Sequence, residues 1–282
     1  MGSKKIKKQK KRGVRGHLFI MIECKDNLEF MSELQNESVD LIYCDILYGT
    51  GKHFGDYQDL KPIKSIIEEH YKPRLKEMHR LLKPTGSIYL QMDYKISHWL
   101  RCVADDVFGY DKFLNEIIWY YKRWSAKSNK FQTMHDNILF YRKGSEHKFN
   151  SIYVKPANEE KGVKENYKKD ADGRMFRWQS NKGEKYKIYR DEKGVLCGDV
   201  WEISTLHASA KERVGYATQK PKELINRIIE ASSNENDVVA DFYLGCGTTA
   251  VVCKELNRKF IGCDINPKAI ELTNKRLNET LL

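Results

Sequence analysis

The sequence predicts an α/β protein built on one doubly wound sheet and interrupted by an inserted region. Three observations carry this. Short apolar runs alternate with stretches of helical period through the first half of the chain and again through its last quarter. A glycine-rich turn, Gly245-Cys246-Gly247, joins one such run to a helical stretch. From about residue 144 to 195, charge, aromatics and turn residues mix without any long period. The 282 residues are enough to bury a full core.

Residues 1–16 hold eight Lys/Arg and no acid, and are expected to form a disordered basic tail. A strand follows over Leu18–Ile22, then a short helix over Asp26–Leu34 with apolar positions at 28, 30, 31 and 34. Ser38–Cys44 gives a second strand, which stops at Asp45-Ile46-Leu47-Tyr48. Ile63–Leu82 has helical spacing, with Pro84-Thr85-Gly86 as its stop signal. Ser87–Met92 reads as a strand, Ile96–Val107 as a helix and Phe113–Tyr121 as a strand. Asn137–Arg142 returns to the sheet before the insertion, which is expected to have a small core of its own.

After the insertion, Asp199–Ile203 and the turn Thr218-Gln219-Lys220-Pro221 lead back into the α/β pattern. Leu224–Ala231 is a helix and Val238–Ala240 a strand of the kind buried on both faces. The glycine turn and a helix through Val251, Val252 and Leu256 come next. Phe260–Cys263 is a strand ending on Asp264, and a last helix runs from Pro267 to Leu277. Two glycines let the backbone pass close to a ligand, and the following helix begins with its N–H groups facing that ligand. Asp264, at the end of the next strand, is placed to hold two ribose hydroxyls.

The formal charge is +11, and its distribution says more than its sum. Residues 120–190 hold eighteen Lys/Arg against eight Asp/Glu, which with the tail leaves the remaining body at −7. A basic insertion on an acidic body suits a polyanion bound at one place. The same segment carries thirteen of the thirty-two aromatic residues, a mixture suited to phosphate contacts plus base reading or stacking. Lys122, Arg123, Lys127, Lys182, Lys185 and Lys187 are the candidate nucleic-acid contacts. The seven cysteines form no C-x-x-C pair and no cluster at metal-ligand spacing, so no metal is expected and a reducing, cytoplasmic setting is the simplest. Leu18–Ile22 is too short an apolar stretch for a signal peptide or a membrane span.

The string from Asp241 to Thr249, D-x-x-x-G-x-G-T-T, with Thr218-Gln219-Lys220-Pro221 upstream, resembles the S-adenosylmethionine-binding motif of amino-methylating DNA methyltransferases. Asp45-Ile46-Leu47-Tyr48 resembles their D-P-P-Y motif, and the segment His135-Asp136-x-Ile138-Leu139-x-Tyr141 is also similar to the family. The catalytic motif precedes the cofactor motif with the basic insertion between them, which is the permuted order of the β group of these enzymes. The resemblance implies a Rossmann-like methyltransferase fold over residues 17–282, with a target recognition region at about 144–195.

It also implies roles. Asp241, Gly245, Gly247, Thr248, Thr249, Asp264, Thr218, Lys220 and Pro221 would bind S-adenosylmethionine. Asp45 and the backbone carbonyl of Ile46 would position an exocyclic amine, with Leu47 in the same catalytic motif, and Tyr48 would stack on the base, a task for its ring and not its hydroxyl. Duplex DNA would be the partner, with the target base flipped out of the helix. An acidic first residue favours adenine N6 over cytosine N4, which stays the alternative. No Pro-Cys dipeptide occurs among the six prolines, which disfavours ring-carbon methylation through a cysteine nucleophile. Both motifs lack the family's proline, so a silent DNA-binding homologue is a second reading. A nicotinamide oxidoreductase is a third, but its sheet would have to continue beyond residue 264. A homodimer and a cognate restriction endonuclease are compatible with the resemblance.

Overall fold

A computed structural model of the chain describes residues 19–53, 59–124, 127, 129–155, 167–191 and 193–279, so the basic tail expected over 1–16 lies outside them. The first half runs β1 (Ile20–Cys24), α1 (Asn27–Ser32), β2 (Val39–Asp45), α2 (Lys64–Leu81), β3 (Leu82–Met92), α3 (Tyr94–Phe108), β4 (Phe113–Tyr120) and β5 (His135–Arg142). The inserted region holds β6 (Tyr153–Val154), β7 (Lys168–Lys169), β8 (Met175–Asn181), β9 (Glu184–Tyr189) and β10 (Val195–Leu196). The chain then continues through β11 (Val200–Glu202), α4 (Lys222–Ser232), β12 (Val238–Asp241), α5 (Thr248–Glu255), β13 (Lys259–Asp264) and α6 (Pro267–Glu279).

Eight strands form one sheet in the order β1-β13-β12-β2-β3-β5-β4-β11. Strand β5 runs antiparallel to both its neighbours, and the other pairings are parallel. Alternate residues of β2 go to opposite faces, as a strand covered on both sides requires. Ile42 and Cys44 pack with Ile67, Tyr71 and Leu75 of α2 and Leu100 of α3. Leu41 and Tyr43 pack with Leu224, Ile225 and Ile228 of α4 and Val252 of α5. Truncating one such fully buried side chain, Ile228→Ala for example, costs about 2–5 kcal/mol.

One boundary departs from the sequence pattern. Helix α2 ends at Leu81, within one residue of the expected Leu82, but the strand expected from Ser87 begins at Leu82, so β3 carries Pro84, Thr85 and Gly86. Val39 pairs with Leu82 but Leu41 pairs with Ser87, so residues 83–86 form an irregular excursion of the strand. Pro84, which has no N–H to give a ladder, sits where the ladder is interrupted.

The order of the sheet positions the site. Strands β2 and β12 are neighbours, with Ile42 beside Ala240, yet their following helices lead to opposite edges of the sheet. Their carboxyl ends therefore open onto the topological switch point, where open α/β sheets bind ligands. In the inserted region β7, β8 and β9 form a three-stranded antiparallel sheet, and β6 pairs with β10. Among the described residues no helix is long and apolar enough to cross a membrane, and no group of three or more His, Cys, Asp or Glu is placed to hold a metal ion.

Candidate active site

A cavity of about 840 Å³ opens at the switch point, lined by Asp45, Tyr48, Lys220, Asp241, Gly245 and Asp264 among others. Asp45 is the last residue of β2. The Ile46 N–H still donates to the Gln91 carbonyl of β3 at 3.1 Å, so the motif leaves the sheet tied to it. The Leu47 carbonyl accepts from the Tyr71 hydroxyl at 3.0 Å. The turn beyond is held by Asp59, which accepts from the N–H groups of Gly49 and Thr50 and from the Thr50 hydroxyl at 3.1, 2.7 and 2.6 Å.

Both oxygens of Asp45 are engaged. Its Oδ1 lies 3.0 Å from the Tyr48 hydroxyl, and its Oδ2 accepts from the Lys220 ammonium. That ammonium also sits 5.2 Å from the centre of the Tyr48 ring. The Tyr48 hydroxyl further donates to Asp136 Oδ2 at 2.6 Å. Asp136 takes two more bonds, from the Tyr121 hydroxyl at 2.8 Å and from Gln91 Nε2 at 3.1 Å. Gln91 in turn accepts from the Tyr43 hydroxyl at 2.7 Å. Burial pushes the Asp45 carboxyl up, Lys220 pulls it back and Asp136 adds to the rise.

The glycine loop is built on two further carboxylates. Asp241 accepts from the Tyr243 N–H at 3.0 Å and the Thr249 hydroxyl at 2.6 Å. Asp264 accepts from the N–H groups of Gly245 and Asn266 at 2.8 and 2.9 Å. Burial, reinforced by Asp45 and Asp264, pushes the Asp241 carboxyl up to about 7 against those donors. The Thr248 hydroxyl lies 3.4 Å from the Lys220 carbonyl, which joins the glycine loop to the Thr218–Pro221 turn.

The sequence-predicted residues separate into distinct places. Gly245 lines the cavity with φ +52°, and a methyl group there would meet only the Tyr216 ring, at 3.5 Å. Gly247, at φ +71°, is set against α6, where a methyl group would collide with Thr273. Its constraint is packing. Thr218 and Thr248 line the cavity, Pro221 precedes α4 as its N-cap, and Lys220 carries its charge to the other motif, on Asp45.

Of the basic residues, Arg123 lines the cavity and donates to the Tyr121 hydroxyl at 3.1 Å, while Lys122 pairs with Glu202 at 2.6 Å. Lys127 is exposed. Lys182, Lys185 and Lys187 lie apart from these, on the β8–β9 hairpin. Sequence reasoning gave no role to Gln91 or Tyr121. A glutamine within the apolar run Ser87–Met92 was the available signal.

Residues 39–275 match the DNA methylase family whose members act at N6 or N4. The chain belongs to that family. This DNA methylase is 33% identical over 257 residues to the type II methyltransferase M.HpaI of Haemophilus parainfluenzae, covering 90% of this chain and 73% of the relative. Its fold is similar to that of M1.HpyAVI solved with S-adenosylmethionine, at a TM-score of 0.57 and 20% identity, covering 92% of this chain and 100% of the other. The cytosine-N4-specific PvuII methyltransferase aligns at a TM-score of 0.61 and 15% identity, covering 92% of this chain and 93% of the other.

S-adenosylmethionine is the cofactor of this DNA methylase, and the site's chemistry fits it. The cofactor bears sulfonium and ammonium charges, and seven aspartates, among them Asp45, Asp241 and Asp264, line this cavity. Burial is the main cause of the raised proton affinity of Asp241, with Asp45 and Asp264 adding to it, and a cation entering the cavity would favour its carboxylate form.

Proposed function

We propose that this methylase transfers a methyl group to the exocyclic N6 of adenine in duplex DNA, with the base flipped into the cavity. The observation that carries this is Asp45, a carboxylate fixed at the end of β2 between Lys220 and Tyr48, in the same cavity as the glycine loop. An amine conjugated to its ring is a poor nucleophile because its lone pair is delocalised. Asp45 would accept one N–H and the Ile46 carbonyl the other, drawing the nitrogen toward sp³. A carboxylate offers about four lone-pair sites, so Asp45 keeps capacity for the amine beside its two present partners. The Tyr48 ring would stack on the flipped base.

Bound S-adenosylmethionine supplies an already activated methyl group, so positioning and electrostatics carry the rest. Asp241, Thr248, Thr249, Gly245 and Asp264 would hold it, together with Thr218, while Gly247 and Pro221 shape the turns behind. The inserted region of about residues 144–195 would recognise the target. Kinship with a type II methyltransferase supports a restriction–modification setting in the cytoplasm with a cognate endonuclease, and a homodimer fits the same setting.

Adenine is favoured over cytosine by the acidic residue at position 45. The fold is shared with an N4-specific enzyme and does not discriminate. Single-molecule sequencing of DNA from cells expressing the chain reports the base and the site together. N6-methyladenine at a defined sequence is the expected result. N4-methylcytosine would select the alternative, and unmodified DNA with intact cofactor and DNA binding would select a silent homologue.

A further inference from the structure

The two faces of the β8–β9 hairpin differ in what their side chains touch. Its register pairs Phe176 with Tyr189, Trp178 with Lys187 and Ser180 with Lys185 on one face. On the other it pairs Arg177 with Ile188, Gln179 with Tyr186 and Asn181 with Glu184. The first face carries an aromatic cluster around Phe176, with Trp178 and Tyr189 still exposed at its margin. Phe176 is buried, with the Trp178 and Tyr189 rings 5.7 and 6.1 Å from its own. Lys187 lies 4.3 Å over the Phe176 ring, and Arg174 lies 4.2 Å over that of Tyr189.

The second face is open. Arg177, Gln179 and Asn181 are all exposed, and among the described residues their side chains have no hydrogen-bond, ion-pair or ring partner. The hairpin closes through Lys182 and Gly183, both at positive φ (49° and 89°), as a tight two-residue turn demands. The ribbon therefore projects a row of three unused polar side chains behind a basic tip.

These three are the side-chain types that read bases. Arginine matches guanine O6 and N7, and asparagine or glutamine matches adenine N6 and N7, each through paired hydrogen bonds in the major groove. That groove, about 12 Å wide, admits a two-stranded ribbon. Alternate residues of a strand advance about 6.8 Å, or about two base-pair steps of 3.4 Å.

We propose that the Arg177–Gln179–Asn181 face of the hairpin reads the target sequence in the major groove, with Arg177 on a guanine and Gln179 and Asn181 on adenines. The spacing puts the bases read by neighbouring members of the row about two base pairs apart. Lys182 at the tip and Lys185, on the opposite face beside the tip, contact phosphates and carry no sequence information. This deepens the proposed DNA methylation, since it rests on duplex DNA being the substrate.

The test selects preferred duplexes from a randomised library by binding alone and, separately, maps methylated sites in expressing cells. Arg177→Ala, Gln179→Ala, Asn181→Ala and the charge-preserving Arg177→Lys are compared with Lys182→Ala/Lys185→Ala. Each single variant of the row is expected to lose discrimination at one position by about 5- to 150-fold, leaving the rest of the motif intact. The lysine pair is expected to weaken binding to all sequences alike and to flatten its salt dependence, with the motif unchanged. An unaltered motif in all row variants would overturn the proposal, as would a wild type that binds every duplex equally. A wild type that selects a motif but methylates nothing would sink the proposed activity and leave the reading face standing.

Discussion

The Tyr48 hydroxyl lies 2.6 Å from Asp136 and 3.0 Å from Asp45, so one phenol links the carboxylate of the D-I-L-Y motif to a carboxylate on β5. The ring proposed to stack on the target base is held by its polar end. The expectation that only the ring matters therefore needs revision.

Tyr48→Phe keeps the ring and removes the link. Asp136 retains Gln91 and Tyr121 as donors, so the stability cost should stay near the low end of the 1–3 kcal/mol typical of a stranded buried acceptor. Methyl transfer should fall by at least about 10-fold as the ring loses its orientation. Asp136→Asn should lower transfer similarly, and the double variant should cost little more than either single one. Tritiated methyl incorporation under single turnover checks this; fully additive losses would show that the two residues act separately.

Lys220→Met should move the acid limb of the rate profile. Burial raises the Asp45 carboxyl and Lys220 opposes that rise, so without Lys220 the carboxyl holds its proton to a higher pH. The working form is the carboxylate. Activity should accordingly be lost earlier as pH falls, and wild-type and variant rates should converge toward alkaline pH. An acid limb at the same pH in both proteins would remove Asp45 from that role.

Asp241 predicts proton release on cofactor binding. With its carboxyl pushed up to about 7, the free protein is partly protonated there at neutral pH. A cationic ligand favours the carboxylate, so S-adenosylmethionine should expel a fraction of a proton and bind more tightly as pH rises through 7. Calorimetry in two buffers of different ionisation heat measures this directly. Identical heats would mean that Asp241 does not titrate with the ligand. Asp241→Asn should abolish the difference.

The two glycines should fail differently. Gly247→Ala meets Thr273 at φ +71° and should lower the melting temperature markedly, with stability cost about 1–3 kcal/mol or more from strain and overpacking. Gly245→Ala meets only ordinary contact with Tyr216, so its larger effect should be on cofactor affinity. Thermal melts with and without S-adenosylmethionine separate the two. Equal loss of stability in both would show that both glycines serve the fold.

Much of this was legible because it is local. Asp45 and Asp241 are legible as cavity-lining candidates because each closes an apolar strand run, and strand ends are where such sheets carry chemistry. What was missed needs tertiary knowledge. Nothing in the sequence brings Asp136 to Tyr48 across 88 positions, or turns Lys220 toward Asp45 across 175. The two glycines look equivalent in the string, and only α6 passing beside Gly247 separates them. The early start of β3 is hidden because Pro84 and Gly86 read as a loop between helix and strand, whereas here they lie in an interrupted stretch of the strand ladder.

The pairing of β2 with β12 also dictates when the molecule becomes complete. Leu41 and Val239 are sheet neighbours separated by roughly 200 residues. A ribosome adding about 5–20 residues per second takes on the order of 10–40 s to deliver the second strand after the first. Throughout that interval β2 presents an unpaired edge built around the run Leu41-Ile42-Tyr43-Cys44, the kind of surface that invites aggregation or chaperone capture. Slowing translation after residue 200 should thus lower the soluble yield of this protein more than the same delay placed before residue 39.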